Sequence, residues 1–151
     1  MNKKILVPLD GSRPSESILS NIKALAVNGK VLVILLKVLE PPLMLGRDEV
    51  IDIGVYQEQR RVIKLEEERY LFDVGEQLRS DHIDFKVIVE SGFVLETILA
   101  VAKQEDVDLV AMASHRMSEW SYFLPESTTI KVMLRTDRPM IVQHSQKNAA
   151  F

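Results

Sequence analysis

Apolar residues follow two rhythms along this chain. Five short runs are apolar at nearly every position: residues 4–9 (KILVPL), 31–39, 85–89, 107–112 and 139–143. Such runs suit strands buried on both faces of a parallel sheet. Lys86 interrupts the third run, which fits an edge strand. Between the runs, apolar residues recur every three or four positions, the period of a helix with one buried face. Ile18, Ile22 and Leu25 mark the first such face. Ile63, Tyr70, Val74 and Leu78, with Leu71 beside them, mark a second on a helix of about seven turns from Tyr56 to Ser80. Val94, Ile98 and Val101 mark a third, and residues 126–135 the last. Strands alternate with helices throughout, which predicts a three-layer α/β sheet with right-handed crossovers.

Turn-forming residues punctuate this pattern. Ser12 is placed to cap the first helix, with Pro14 and Glu16 in its first turn. Asn28-Gly29 predicts its end, because both residues tolerate a left-handed backbone. Glu40-Pro41-Pro42 closes the second strand, and residues 43–54, with Gly46 and Gly54, read as a loop. Ser91-Gly92 is a further turn. The most informative loop is HRMSEWSYFLPE, which leaves the fourth strand before the final helix. In an open parallel sheet, ligands bind where loops leave the carboxyl ends of the strands. The chain reads as one domain over 1–145 with a short tail at 146–151.

Composition narrows the function. The chain has 151 residues, 46% apolar and 27% charged, as in ordinary globular proteins. A net charge of -3 argues against nucleic-acid or membrane-surface binding, which needs a concentrated positive field. RRVIKLEEER (60–69) mixes both signs and reads as a solvated helix face. No cysteine is present, which removes disulfides, thiolate chemistry and cysteine-based zinc sites. MNKKILVPLDGS is too soon broken by Pro8 and Asp10 to read as a secretory leader, and no run approaches a membrane span. The expected location is the cytoplasm.

Candidate chemistry gathers at the strand ends. Asp10-Gly11-Ser12 opens a helix whose free N–H groups favour an anion or nucleotide, or is an ordinary capped turn. Asp10, Ser12 and His115 do not make a hydrolytic triad, because no Gly-x-Ser-x-Gly elbow occurs. His82, His115 and His144 lack metal-ligand spacing. Ser127, Thr128 and Thr129 offer hydroxyls to a phosphate or serve as a plain helix cap, and no Walker pattern accompanies them. Trp120, Tyr122 and Phe123 suit core or interface packing better than cofactor contact.

KILVPLDGS, LLKVLEPP, VDLVAMASHR and STTIKVMLRTDRPMIV occur in an order that resembles the universal stress protein family over nearly the whole chain. The resemblance implies a Rossmann-like sheet, similar to the adenine nucleotide alpha hydrolases, of five parallel strands in the order 3-2-1-4-5 with helices on both faces. It implies a non-enzymatic stress-response protein that dimerises through the last strand, Pro139 to Gln143, and acts on an unknown protein partner. It also implies candidate nucleotide contacts at Pro8, Asp10, Ser12, Val38, Ala113, His115, Arg116, Glu126, Ser127 and Thr128, with Val38 where an adenine base often lies. Family members that bind ATP carry Gly-x2-Gly-x9-Gly-[Ser/Thr] in the fourth loop. Anchored on His115 and Ser127, the three glycine positions become Ala113, Arg116 and Glu126. Glycines there let backbone approach phosphates, whereas Glu126 adds a like charge that repels an anion by roughly 1 kcal/mol or more. No cofactor is therefore the expectation, against an altered ATP or AMP site with magnesium as the alternative.

Overall fold

The computed structural model describes residues 2–41, 53–115 and 128–145. Strand β1 (Lys3–Pro8) lies at the centre, paired in parallel with β2 (Val31–Leu39) and β4 (Leu109–His115). β3 (Asp84–Ser91) joins β2, and β5 (Met140–Ser145) joins β4. The sheet order is β3-β2-β1-β4-β5, the expected one, with β3 and β5 as its edges.

Every strand of the centre is apolar on both sides because both faces are covered. Side chains alternate along a strand, so Ile5 and Val7 point one way and Leu6 the other. On the first face, Ile5, Val7, Val33 and Leu35 meet Ile18 and Ile22 of α2 (Ile18–Ala26) and Leu71, Val74 and Leu78 of α3 (Ile53–Arg79). On the second face, Leu6, Ile34 and Leu36 meet Ile98 and Val101 of α4 (Val94–Gln104) and Val132 of α5 (Thr128–Arg135).

Several local expectations are corrected. The first helical stretch divides into a single turn, α1 (Arg13–Glu16), and α2, with Ser17 between them. Leu25 is exposed, because Ile18, Leu19, Ile22 and Ala26 define the covered arc of α2 and Leu25 falls beside it. α2 ends through Val27 in right-handed geometry, and neither Asn28 nor Gly29 turns left-handed. The Gly29 N–H reaches the Ala26 carbonyl at 3.4 Å instead. Ile53 and Gly54, expected in a loop, begin α3, and the rest of that loop from 43 to 52 lies outside the described residues. Ile63 is exposed because α3 reaches the sheet only in its second half. Val107 is buried but precedes β4, which instead runs on to His115. Pro139 likewise precedes β5, which continues to Ser145. The stretch 116–127, with the aromatic trio, and the tail lie outside the described residues. No helix among the described residues is long and apolar enough to cross a membrane.

Candidate functional site

The strand order reverses between β1 and β4, and a cavity of about 670 Å³ opens there, at the carboxyl ends of β1, β2 and β4. A crevice at such a reversal is where open α/β sheets take ligands. Its floor is apolar, with Leu36, Val38 and Leu39 from β2, Met112 and Ala113 from β4, and Val94 and Ile98 from α4.

The β1 rim is a polar turn that fixes its own shape. Pro8 ends the strand, and the Leu9 N–H still reaches the Leu36 carbonyl at 2.8 Å. Gly11 then takes φ +89°, a conformation that L side chains rarely adopt. Asp10 Oδ1 accepts the Ser12 N–H at 2.8 Å and the Ser12 hydroxyl at 2.5 Å. Ser12 Oγ accepts the Ser15 N–H at 3.2 Å, so Ser12 does cap the helix turn that follows. The buried Ser15 hydroxyl donates to the Ser12 carbonyl at 2.8 Å and accepts the Asp10 N–H at 3.4 Å. Asp10 itself is exposed, on the cavity wall.

Lys37 completes this rim. Its ammonium donates to the Asp10 carbonyl at 2.7 Å and sits 3.7 Å from where a Cβ on Gly11 would stand. The cation thus pins the turn from the neighbouring strand and brings positive charge to the mouth. On the far side, the buried Thr129 hydroxyl donates to the Ala113 carbonyl at 3.1 Å, tying the start of α5 to the end of β4. This hydroxyl is therefore structural, while Thr128 lines the cavity.

α3 supplies the remaining wall through Arg60, Ile63 and Glu67. Arg60 donates to the Ser91 hydroxyl at 2.8 Å and to the Tyr56 hydroxyl at 3.0 Å, which anchors the outer part of α3 to the end of β3. Behind the Asp10 turn lies Tyr70. Burial, the Glu16 carboxylate beside it, and the charges of Asp10 and Glu67 push its phenol well above the ordinary 10. The hydroxyl makes no hydrogen bond of good geometry, although Glu16 lies alongside.

Of the residues expected from sequence, the fold brings Pro8, Asp10, Val38, Ala113 and Thr128 to one cavity. Ser12 stands just behind the rim as the partner of Asp10. His115 is the last residue of β4, and Arg116, Glu126 and Ser127 lie outside the described residues. Sequence reasoning missed Lys37, Arg60, Ser15 and Glu67. Lys37 had a signal, being the one charge in the run Val31–Leu39. Arg60 and Glu67 had none, since only the tertiary fold carries α3 to the strand ends. No group of three or more His, Cys, Asp or Glu with metal-binding geometry occurs among the described residues.

The universal stress protein family model matches residues 1–144, and the chain belongs to that family. It is similar to a universal stress protein of Methanocaldococcus jannaschii, 28% identical over 153 residues and 94% of each chain. The solved structure of that archaeal protein superposes with a TM-score of 0.79 at 26% identity, covering 98% of this chain and 99% of the other. An Arabidopsis thaliana family member solved with AMP bound matches at a TM-score of 0.66 and 11% identity, over 97% of this chain and 94% of its own. A universal stress protein solved in complex with cAMP matches at 0.63 and 15% identity, over 96% and 98%. At these identities the last two likenesses concern the fold.

Proposed function

We propose that this chain is a non-enzymatic, dimeric stress-response protein whose cavity takes adenosine or a singly phosphorylated adenosine in preference to ATP. The observation that carries this reading is the cavity of about 670 Å³ at the strand reversal, with Val38 on its apolar floor and Asp10 on its rim. The volume lies within the usual range for small-molecule sites. The apolar floor suits a flat base, and Asp10 and Lys37 offer an acceptor and a donor for a ribose and one anionic group. Relatives of this fold solved with AMP and with cAMP are consistent with such a ligand.

The phosphate end argues against ATP. By the family resemblance, the glycines that would cradle a triphosphate are replaced by Ala113, Arg116 and Glu126. A side chain at those positions keeps backbone N–H groups from phosphate, and each added phosphate brings more negative charge toward Glu126. Magnesium-ATP is thus expected to bind more weakly than AMP, the reverse of a site built on the glycine motif.

Calorimetric titration of the purified protein with adenosine, AMP, cAMP and magnesium-ATP tests this. AMP or cAMP should saturate while ATP binds at least tenfold more weakly. Asp10→Ala should weaken AMP by about 10- to 100-fold, the value of a hydrogen bond to a charged group. ATP binding as tight as AMP would overturn the phosphate argument. No binding by any of the four would leave the protein working through protein contacts alone.

A further inference from the structure

The outward face of α3 carries an interface, and we infer that its occupant is the α3 of a second copy of this chain, antiparallel about a two-fold axis. At about 100° per residue, Leu71, Val74 and Leu78 mark the side of α3 that meets the sheet. Val55, Val62 and Leu65 fall on the opposite side, with Phe72 at its margin, where the ring also meets Phe85 of β3 and the Arg79 guanidinium; they are 54%, 45%, 57% and 46% exposed. Their spacing is seven, three and seven residues. That is the seam of a two-helix coiled coil, which keeps facing its partner only at this repeat. The seam extends along about 27 Å of helix.

The charges in and beside the seam name the occupant. The seam's other two positions are Glu58 and Arg69, and Arg61 and Glu68 flank it. Glu58, Arg61 and Arg69 are exposed and Glu68 is half-buried, and no ion pair holds any of them among the described residues. In an antiparallel pair centred between Ile63 and Lys64, Val62 meets Leu65 of the second copy and Val55 meets its Phe72. In the same register Glu58 meets Arg69, and Arg61 faces Glu68. Each contact occurs twice, because a two-fold interface is self-complementary. A groove of about 430 Å³ lined by Val55, Glu58, Gln59, Val62, Ile63 and Glu66 adjoins the seam. A parallel pair would instead set Glu58 against Glu58 and Arg69 against Arg69. The apolar and charged positions therefore agree on one partner, one direction and one register.

Charge reversal tests all three at once, by sedimentation equilibrium of the full chain. Glu58→Arg and Arg69→Glu each replace two attractive contacts per pair with two repulsive ones, and each should raise the dissociation constant about tenfold. The double variant should restore it, as should an equimolar mixture of the two single variants. Leu65→Asp should weaken association by ~100-fold. Circular dichroism melts should leave all of these exposed variants folded. Association that ignores both single reversals would overturn the inference. So would weakening that neither the double variant nor the mixture repairs, which would point to a foreign helix as the occupant.

Discussion

Tyr70 joins the candidate site to the stability of the whole chain. Its raised pKa means that the folded protein holds the phenolic proton more tightly than the unfolded chain does. The resulting stabilisation is complete below the ordinary phenol value of 10 and fades as pH climbs above it. Denaturant melts between pH 8 and about 11 should show the wild type losing stability above pH 10 more steeply than Tyr70→Phe. Equal slopes would mean that neither burial nor the carboxylates of Glu16, Asp10 and Glu67 hold the phenolic proton. Gly11 gives a second prediction. A Cβ there meets only Lys37 Nζ, at an ordinary 3.7 Å, so Gly11→Ala costs backbone strain alone, about 1–2 kcal/mol by chemical denaturation. At this scale the sequence was legible where chemistry is local. Asp10, Gly11 and Ser12 are neighbours, and their roles as acceptor, left-handed pivot and cap follow from residue type. Arg60, Glu67 and Tyr70 were illegible as site residues, because a helix face says what is buried but not which strand end it passes.

Among the elements, α3 shows how close packing is written into one residue. Gly75 is buried on the side that crosses β3, and a Cβ there would stand 2.2 Å from the Phe85 ring. That ring also stacks edge-on with Phe72, with centroids 5.6 Å apart, and lies under the Arg79 guanidinium. Gly75→Ala gains about 1 kcal/mol of helix propensity but overpacks a constrained ring, at a cost of about 1–3 kcal/mol. The expected net result is a loss of up to ~2 kcal/mol by denaturant melt. Gly29 is the control, since its Cβ would meet nothing within 4 Å and its φ is not left-handed. Gly29→Ala should be neutral or stabilise by about 0.4–1 kcal/mol. The same contrast explains the errors of element reading. Periodicity found the buried faces of α2, α3 and α4 because burial imposes it. It misplaced Leu25, which falls beside the covered arc of α2, and Ile63, whose turn of α3 comes before the part that the sheet covers. It misjudged the ending at Asn28-Gly29 because tolerance of a left-handed backbone permits that turn without requiring it.

For the whole molecule, the sheet order leaves β5 at one edge, while α3 packs over β3 at the other. The Val110 N–H donates to the Pro139 carbonyl at 2.9 Å, which turns the odd-numbered peptide groups of β5 toward β4. The even-numbered groups, Val142 among them, then point away from the sheet, available to a second β5. Val142→Pro removes an outward N–H and spares the ladder to β4, so it should block strand pairing at a stability cost of about 1 kcal/mol or less. Two different isologous surfaces on one chain do not compete. Together they build a closed tetramer when their axes meet at right angles, and a larger ring or an open chain otherwise. The masses of four proteins separate these cases by light scattering. If both surfaces act, Val142→Pro leaves a dimer held through α3, and Leu65→Asp leaves a dimer held through β5. The two changes together give a monomer, while the wild type is a tetramer or a concentration-dependent series. A wild-type dimer lost in Val142→Pro and kept in Leu65→Asp assigns assembly to the strand edge alone. The opposite pattern assigns it to the helix, and places the contact on the same α3 that carries Arg60, Ile63 and Glu67 into the cavity wall. In that case ligand binding should change with protein concentration, because ordering α3 against a second copy also fixes one side of the site.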